Sequence, residues 1–228
     1  MTIEEMHTAF RTLGQQKGLQ LVRAILPDSI DVYLNDMIIE WTRKTIQANV
    51  ETVYKDKVTL QNNSINPING VRTLYKRSRL HNFNHIDDEY YTVNLAEVDS
   101  VMYYTSFELK FPNQKRNTWC RFVDRDKLMN TLSDYCNGAS KEYPIVCMHF
   151  GDSGEDVAEL YLGDTTVVPT ELIINYVSLP VKVKLDENNS ENNIDCNLPE
   201  FCHYEIVEGA VNKFFASVGS TNRTVSNQ

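Results

Sequence analysis

Residues 147–155 read CMHFGDSGE and place a thiol (Cys147), an imidazole (His149), a hydroxyl (Ser153) and the carboxylates of Asp152 and Glu155 within one short stretch. A serine flanked as G-D-S-G is a setting for acyl-transfer chemistry. That chemistry needs backbone N–H groups around an oxyanion, a histidine base and an aspartate that orients the histidine. Glu155 stands where a further glycine is wanted and puts negative charge beside the supposed anion site. None of His7, His81, His85, His149 or His203 lies in an A-A-H-C setting, and nine glycines are few for an all-β barrel with many tight turns. FGDSGED therefore reads as an acidic turn between two strands, with Gly151 and Gly154 supplying the geometry and Ser153 not acting as a nucleophile.

Other groupings are no more complete. Asp152, Glu155 and Asp156 lack the spaced ligand series of a calcium loop. Cys196, Cys202 and His203 lack a fourth zinc ligand and a recognised spacing. Asp87, Asp88 and Glu89 follow an Asn/His-rich turn, where adjacent carboxylates are ordinarily solvated. No glycine-rich phosphate loop and no H-E-x-x-H is present, so no catalytic residue, cofactor or metal is assigned.

The elements that must position any site follow from periodicity. Thr2 and Glu5 form a capping box ahead of the stripe Ile3, Met6, Phe10 and Leu13. A second helix enters at Pro27-Asp28-Ser29, and Ile30, Leu34, Met37, Ile38 and Trp41 give it one apolar face to about Ala48. Residues 50–90 read as an extended loop or arm. From residue 99 the pattern is strand-like: DSVMYYTSFELKF, a PNQKRN turn and TWCRFV form a hairpin. Asp124 to Cys136 is a short helix carrying Leu128, Leu132 and Tyr135. YPIVCMHF, DVAELYL, ELIINYV and VKVKL are further strands. Pro199 opens a last helix, stopped at Gly219, and residues 221–228 form a loose tail. The expectation is an α+β fold in a single domain over residues 1–220: an N-terminal helical pair, a central, mostly antiparallel β-sheet and a C-terminal helix.

Charge narrows the function classes. The chain of 228 residues carries −9 overall, which disfavours general affinity for phosphate backbones. Yet residues 57–86 hold Lys57, Arg72, Lys76, Arg77 and Arg79 and no acid. A basic segment on an acidic body suits contact with another copy of the chain or with a neighbouring assembly, and Arg72, Lys76, Arg77 and Arg79 are the candidate contacts. Tyr75 and Phe83 beside these cations leave a nucleic-acid-binding module acting through residues 57–86 as the alternative, with a Ser153 hydrolase ranked behind it. The five cysteines form no C-x-x-C pair and read as reduced, and no stretch approaches the roughly 18 apolar residues of a membrane span. MTIEEMHTAF has acids where a signal peptide needs a basic region, so folding in the cytosol is expected.

The order of elements resembles the ring, or head–tail connector, proteins of crAss-like tailed bacteriophages. The resemblance lies in TIEEMHTAF; in LPDSIDVYLNDMIIEW, where Ile30, Asp31, Leu34 and Asn35 match an acid-x-I-D-x-x-L-N segment; in ELIINYVSLPVKVKL; and in LPEFCHYEIVEGAVNKFFASV, where His203, Glu205, Ile206, Val207, Ala210 and Val211 match. It covers roughly half the chain, at its two ends. The resemblance implies a structural virion protein without an active site. Copies would form a ring, twelvefold like the portal above it, and extend the channel through which DNA leaves. The implied partners are further copies, the portal, other connector or tail proteins and DNA sliding through the lumen, with no membrane. The implied location is the neck or tail of a particle assembled in the host bacterial cytoplasm.

Overall fold

The computed structural model describes residues 1–18, 25–55, 70–86, 89–151, 154–164, 166 and 168–225. In chain order these form α1 (Ile3–Gln16), α2 (Pro27–Lys55), β1 (Tyr75–Leu80), β2 (Asn84–Ile86), β3 (Tyr90–Asn94), β4 (Val101–Lys110), β5 (Thr118–Trp119), β6 (Arg121–Phe122), α3 (Arg125–Ser133), β7 (Ile145–Phe150), β8 (Asp156–Tyr161), β9 (Glu171–Ser178) and α4 (His203–Val225). The fold is α+β, with the expected helical pair at the start and a helix at the end. Where the sequence suggested one domain, the chain divides into two compact units, Met1–Leu74 with Leu179–Gln228, and Tyr75–Ser178.

The first unit is built on helices. Thr2 Oγ1 accepts a hydrogen bond from the Glu5 N–H (3.3 Å), and the Glu5 carboxylate accepts one from the Thr2 N–H (2.9 Å). This reciprocal cap fixes where α1 starts. Ile3, Met6 and Phe10 are buried as the stripe requires, while Leu13 is half-buried. Proline at the first position suits the start of α2, which runs to Lys55, beyond the expected end near Ala48. Ile30, Leu34, Met37, Ile38 and Trp41 are buried on one face of α2, and Ile206, Val207, Ala210 and Val211 on α4. Burying each Val, Leu, Ile or Met side chain among these contributes about 1.5–3 kcal/mol. Phe214 of α4 meets Phe10 of α1 (ring centroids 6.0 Å) and Tyr33 of α2 edge-on (5.4 Å). At Gly209 the helices come so close that a Cβ would lie 2.6 Å from Met37 Sδ. α4 continues through Gly219, the expected stop, to Val225.

The expected strand VKVKL is not part of a sheet; its one ladder contact is the isolated bridge between Lys184 and Ile194. Side chains of α2 take the place of a neighbouring strand. Asn35 Oδ1 accepts from the Val183 N–H (2.8 Å) while its Nδ2 donates to the Val183 carbonyl (2.9 Å). One turn earlier, Asp31 Oδ2 accepts from the Leu185 N–H (3.0 Å). The other oxygen of Asp31 lies 2.7 Å from His7 Nε2, a buried contact that ties α1 to α2.

The second unit is a two-sheet sandwich. One sheet has the order β1-β9-β4-β5 and the other β2-β3-β8-β7-β6. Every pairing is antiparallel except β6 with β7. Alternate residues of each strand point into the space between: Leu80, Phe107, Leu109, Leu172, Ile174 and Tyr176 from one sheet, and Tyr91, Val93, Val146, Ala158 and Leu160 from the other. The far side of the five-stranded sheet is covered by α3, whose Leu128 packs on Ile145 and Cys147. Leu132 is partly buried there, but Tyr135, expected on the same face, is fully exposed beyond the helix end.

Two expectations change here. The stretch 75–80 is a paired strand, because all six residues from Tyr75 to Leu80 register with β9, and so it is not an arm. The hairpin from residue 99 exists, but its return strand is split. Thr118 and Trp119 pair with β4, then Arg121 and Phe122 cross to join β7 in the other sheet.

Candidate functional site

The four cations singled out in the sequence are not equivalent. Arg72 lies in the 3₁₀ turn Arg72–Leu74 of the helical unit, and its side chain is exposed. Lys76, Arg77 and Arg79 belong to β1 of the sandwich. Strand alternation puts Arg77 and Arg79 on the outward face of the four-stranded sheet, opposite the face that carries Leu80 into the core. Arg77 Nη2 donates to Glu108 Oε2 (2.9 Å), and Arg79 Nη1 lies 3.9 Å from Glu171 Oε2. Lys110 Nζ donates to the other oxygen of Glu171 (2.8 Å).

Glu108 is the centre of this outward face. Asn117 donates to its Oε2 (2.8 Å), and Asn175, which also donates to Ser106 Oγ, reaches its Oε1 (2.9 Å). Burial alone would raise the pKa of Glu108, but the hydrogen bonds from Asn117 and Asn175 and the Arg77 guanidinium outweigh it, leaving the carboxyl below its ordinary value. Two of the four candidate cations thus face carboxylates of their own chain. Lys76 is exposed and forms no ion pair among the described residues.

Gly151 and Gly154 of the G-D-S-G motif lie between β7 and β8. The Gly151 N–H donates to the Glu155 carbonyl (2.7 Å), the Gly154 N–H donates to the Gly151 carbonyl (3.0 Å), and Gly154 has φ +83°. That left-handed conformation favours glycine, in keeping with the turn reading. Asp152 and Ser153 lie outside the described residues. His149 stands on β7 with Nδ1 3.4 Å from Glu159 Oε1. Glu159 is almost fully buried, bonded to Arg125 and to the Tyr161 hydroxyl (3.0 Å). These groups form a polar cluster behind α3, and burial followed by the Glu159 bond pushes the Tyr161 pKa above its ordinary value. The nearby Cys147 thiol is also pushed up, chiefly by burial, which opposes thiolate formation.

Among the described residues no group of three or more His, Cys, Asp or Glu side chains is placed to hold an ion. Cys202 donates to the Pro199 carbonyl (2.8 Å), and His203 Nε2 is bonded to the Leu198 carbonyl (2.9 Å). Burial, with Cys196 nearby, pushes the Cys202 thiol up to about 12. Asp87 and Asp88 lie outside the described residues, and Glu89 is exposed. No helix of the described residues is long and apolar enough to cross a membrane.

The sequence did not reveal a groove of about 550 Å³ at one side of the sandwich, lined by Tyr103, Phe107, Trp119, Phe122, Met148 and Asp156, among others. Trp119 is 66% and Phe122 55% exposed. The groove exists because strands end short. β5 pairs with β4 only at Glu108 and Leu109, with one more bond from the Cys120 N–H to the Phe107 carbonyl (2.9 Å). β6 pairs with β7 only at Ile145 and Val146. Among the described residues, no strand lies beyond β4 over Val101–Ser106. Exposed aromatics around an open strand edge are features of an interaction surface.

Asp31 and Asn35 were also missed as structural ties. The signal was available: both fall beside the buried Ile30 and Leu34, and polar groups on a buried stripe need partners. No protein-family model and no curated protein sequence matches the chain.

Proposed function

We propose that this chain is a structural subunit of a tailed-phage particle, one segment of a closed ring in the head–tail connector below the portal. The observation that carries this reading is where the resembling residues fall. Asp31 and Asn35 hold the segment after Leu179 against α2. Glu205 accepts from Trp41 Nε1 (3.0 Å), His203 ties to Leu198, and Ile206, Val207, Ala210 and Val211 seat α4. Pieces from both ends of the chain are thus parts of one frame, which is compatible with a shared fold.

The ring would contain twelve copies to follow the portal, contact other connector or tail proteins and line a passage for DNA. A body carrying −9 suits such a passage, since neutralised phosphates are what makes DNA stick. The working location is the virion neck or tail, with assembly in the host bacterial cytoplasm, and no cofactor is needed. Two of the four basic side chains face their own carboxylates, which counts against a nucleic-acid-binding role for the 57–86 segment.

Electron microscopy and native mass spectrometry of the purified chain, alone and with the portal protein of the same genome, test the reading. The expected result is a ring stacked on the portal with matching copy number. A chain that stays monomeric at every concentration and ignores the portal overturns it.

A further inference from the structure

We propose that copies of this chain join head to tail by strand addition, with β1 of one copy pairing along the open half of β4 in the next. This names the contact within the ring proposed above and rests on that reading.

The argument starts from the two edges of the four-stranded sheet. At one edge lies β1, with no neighbour on its outer side among the described residues. At the other lies β4, which β5 covers only near Glu108 and Leu109. An uncovered edge presents a row of main-chain donors and acceptors that an extended segment can pair with. Proteins commonly guard such an edge with charge or proline, yet Val101–Phe107 reads VMYYTSF and holds neither. The six residues of β1 match the six of Val101–Ser106 in length.

Charge selects a second copy as the occupant. β1 carries Lys76, Arg77 and Arg79 and no acid, and the groove beside β4 is lined by Asp156 and no cation. Alternation sends Lys76, Ser78 and Leu80 to one face of an added strand and Tyr75, Arg77 and Arg79 to the other. With the sheet continued from copy to copy, Lys76 lies over the groove that holds Asp156, and the arginines lie on the outward face that holds Glu108. Lys76, which has no ion partner among the described residues of its own chain, gains one. Because the paired edges differ, the contact is heterologous. Repetition then gives a ring or a filament, not a closed dimer.

The test uses the full chain in a Cys136→Ser background, which removes the exposed thiol. Ser78→Cys and Thr105→Cys are introduced singly and together, and the concentrated protein is treated with a short bifunctional maleimide. The expected result is a covalent ladder extending beyond dimers for the double variant only. In parallel, Lys76→Glu lowers the assembled fraction by about tenfold or more with an unchanged thermal midpoint, since like charges then meet at the contact. Rings visible by microscopy without the ladder overturn strand addition and leave the ring reading standing. Dimers from Thr105→Cys alone overturn it in favour of symmetric β4–β4 pairing. A monomer in every condition, portal included, removes the ring reading and this contact with it.

Discussion

Replacing Asn35 by alanine should unfold the helical unit at distinctly lower urea. The side chain both accepts from the Val183 N–H and donates to its carbonyl, and Val183 is 2% exposed. Truncation leaves two main-chain groups without partners where water has little access. Each orphaned group costs about 1–3 kcal/mol, so for the two a loss of roughly 2–6 kcal/mol is expected. With a denaturant slope of about 2 kcal/mol per molar, the urea midpoint falls by roughly 1–3 M. Tryptophan emission reports this cleanly. Trp41 is buried in α2, bonded to Glu205, whereas Trp119 in the sandwich is already largely exposed. Asn35→Asp should rescue little, because it keeps the acceptor but turns a carboxylate toward the Val183 carbonyl. A midpoint shift equivalent to less than about 0.5 kcal/mol, the range of neutral surface changes, would refute the idea that Asn35 stands in for a strand.

Four further outcomes are expected. Arg77→Glu lowers the thermal midpoint of the isolated chain by placing like charges at Glu108, and adding Glu108→Arg recovers most of the loss; absence of recovery rejects the pairing. The depressed pKa of Glu108 contributes stability that is complete above the ordinary carboxylate range and lost as pH falls through the folded value. Glu108→Gln should therefore flatten the acid limb of a stability–pH curve, and an unaltered limb contradicts the assignment. A maleimide at neutral pH should modify the exposed Cys136 at once and Cys202 only after denaturation, as checked by peptide mass mapping. A serine-directed fluorophosphonate should leave the chain unlabelled; stoichiometric labelling lost on Ser153→Ala would establish a nucleophile at the turn.

The helices were legible because their signals are local. A capping box and an apolar stripe at three- and four-residue spacing announce α1 and α2 without knowledge of anything distant. β1 was not legible, since YKRSRL buries only Leu80 and its arginines meet Glu108 and Glu171 far along the chain. VKVKL failed in the opposite way. Its alternation is that of a half-buried strand, but the partner is a side-chain amide, which no periodicity reports. Gly219 did not end α4, because a glycine within a helix costs only about 1 kcal/mol. The basic residues were noticed in the sequence, yet their ion partners and the aromatic groove emerge only from which strands pair and where they stop.

The short stretch 118–122 changes sheets around the single residue Cys120. It works as a rivet: the two layers stay tied at this point until the bonds of Thr118 and Trp119 to β4, or those of Arg121 and Phe122 to β7, are broken. A load applied along β4 can thereby pass into β7 of the other sheet as well as into its own neighbour β9.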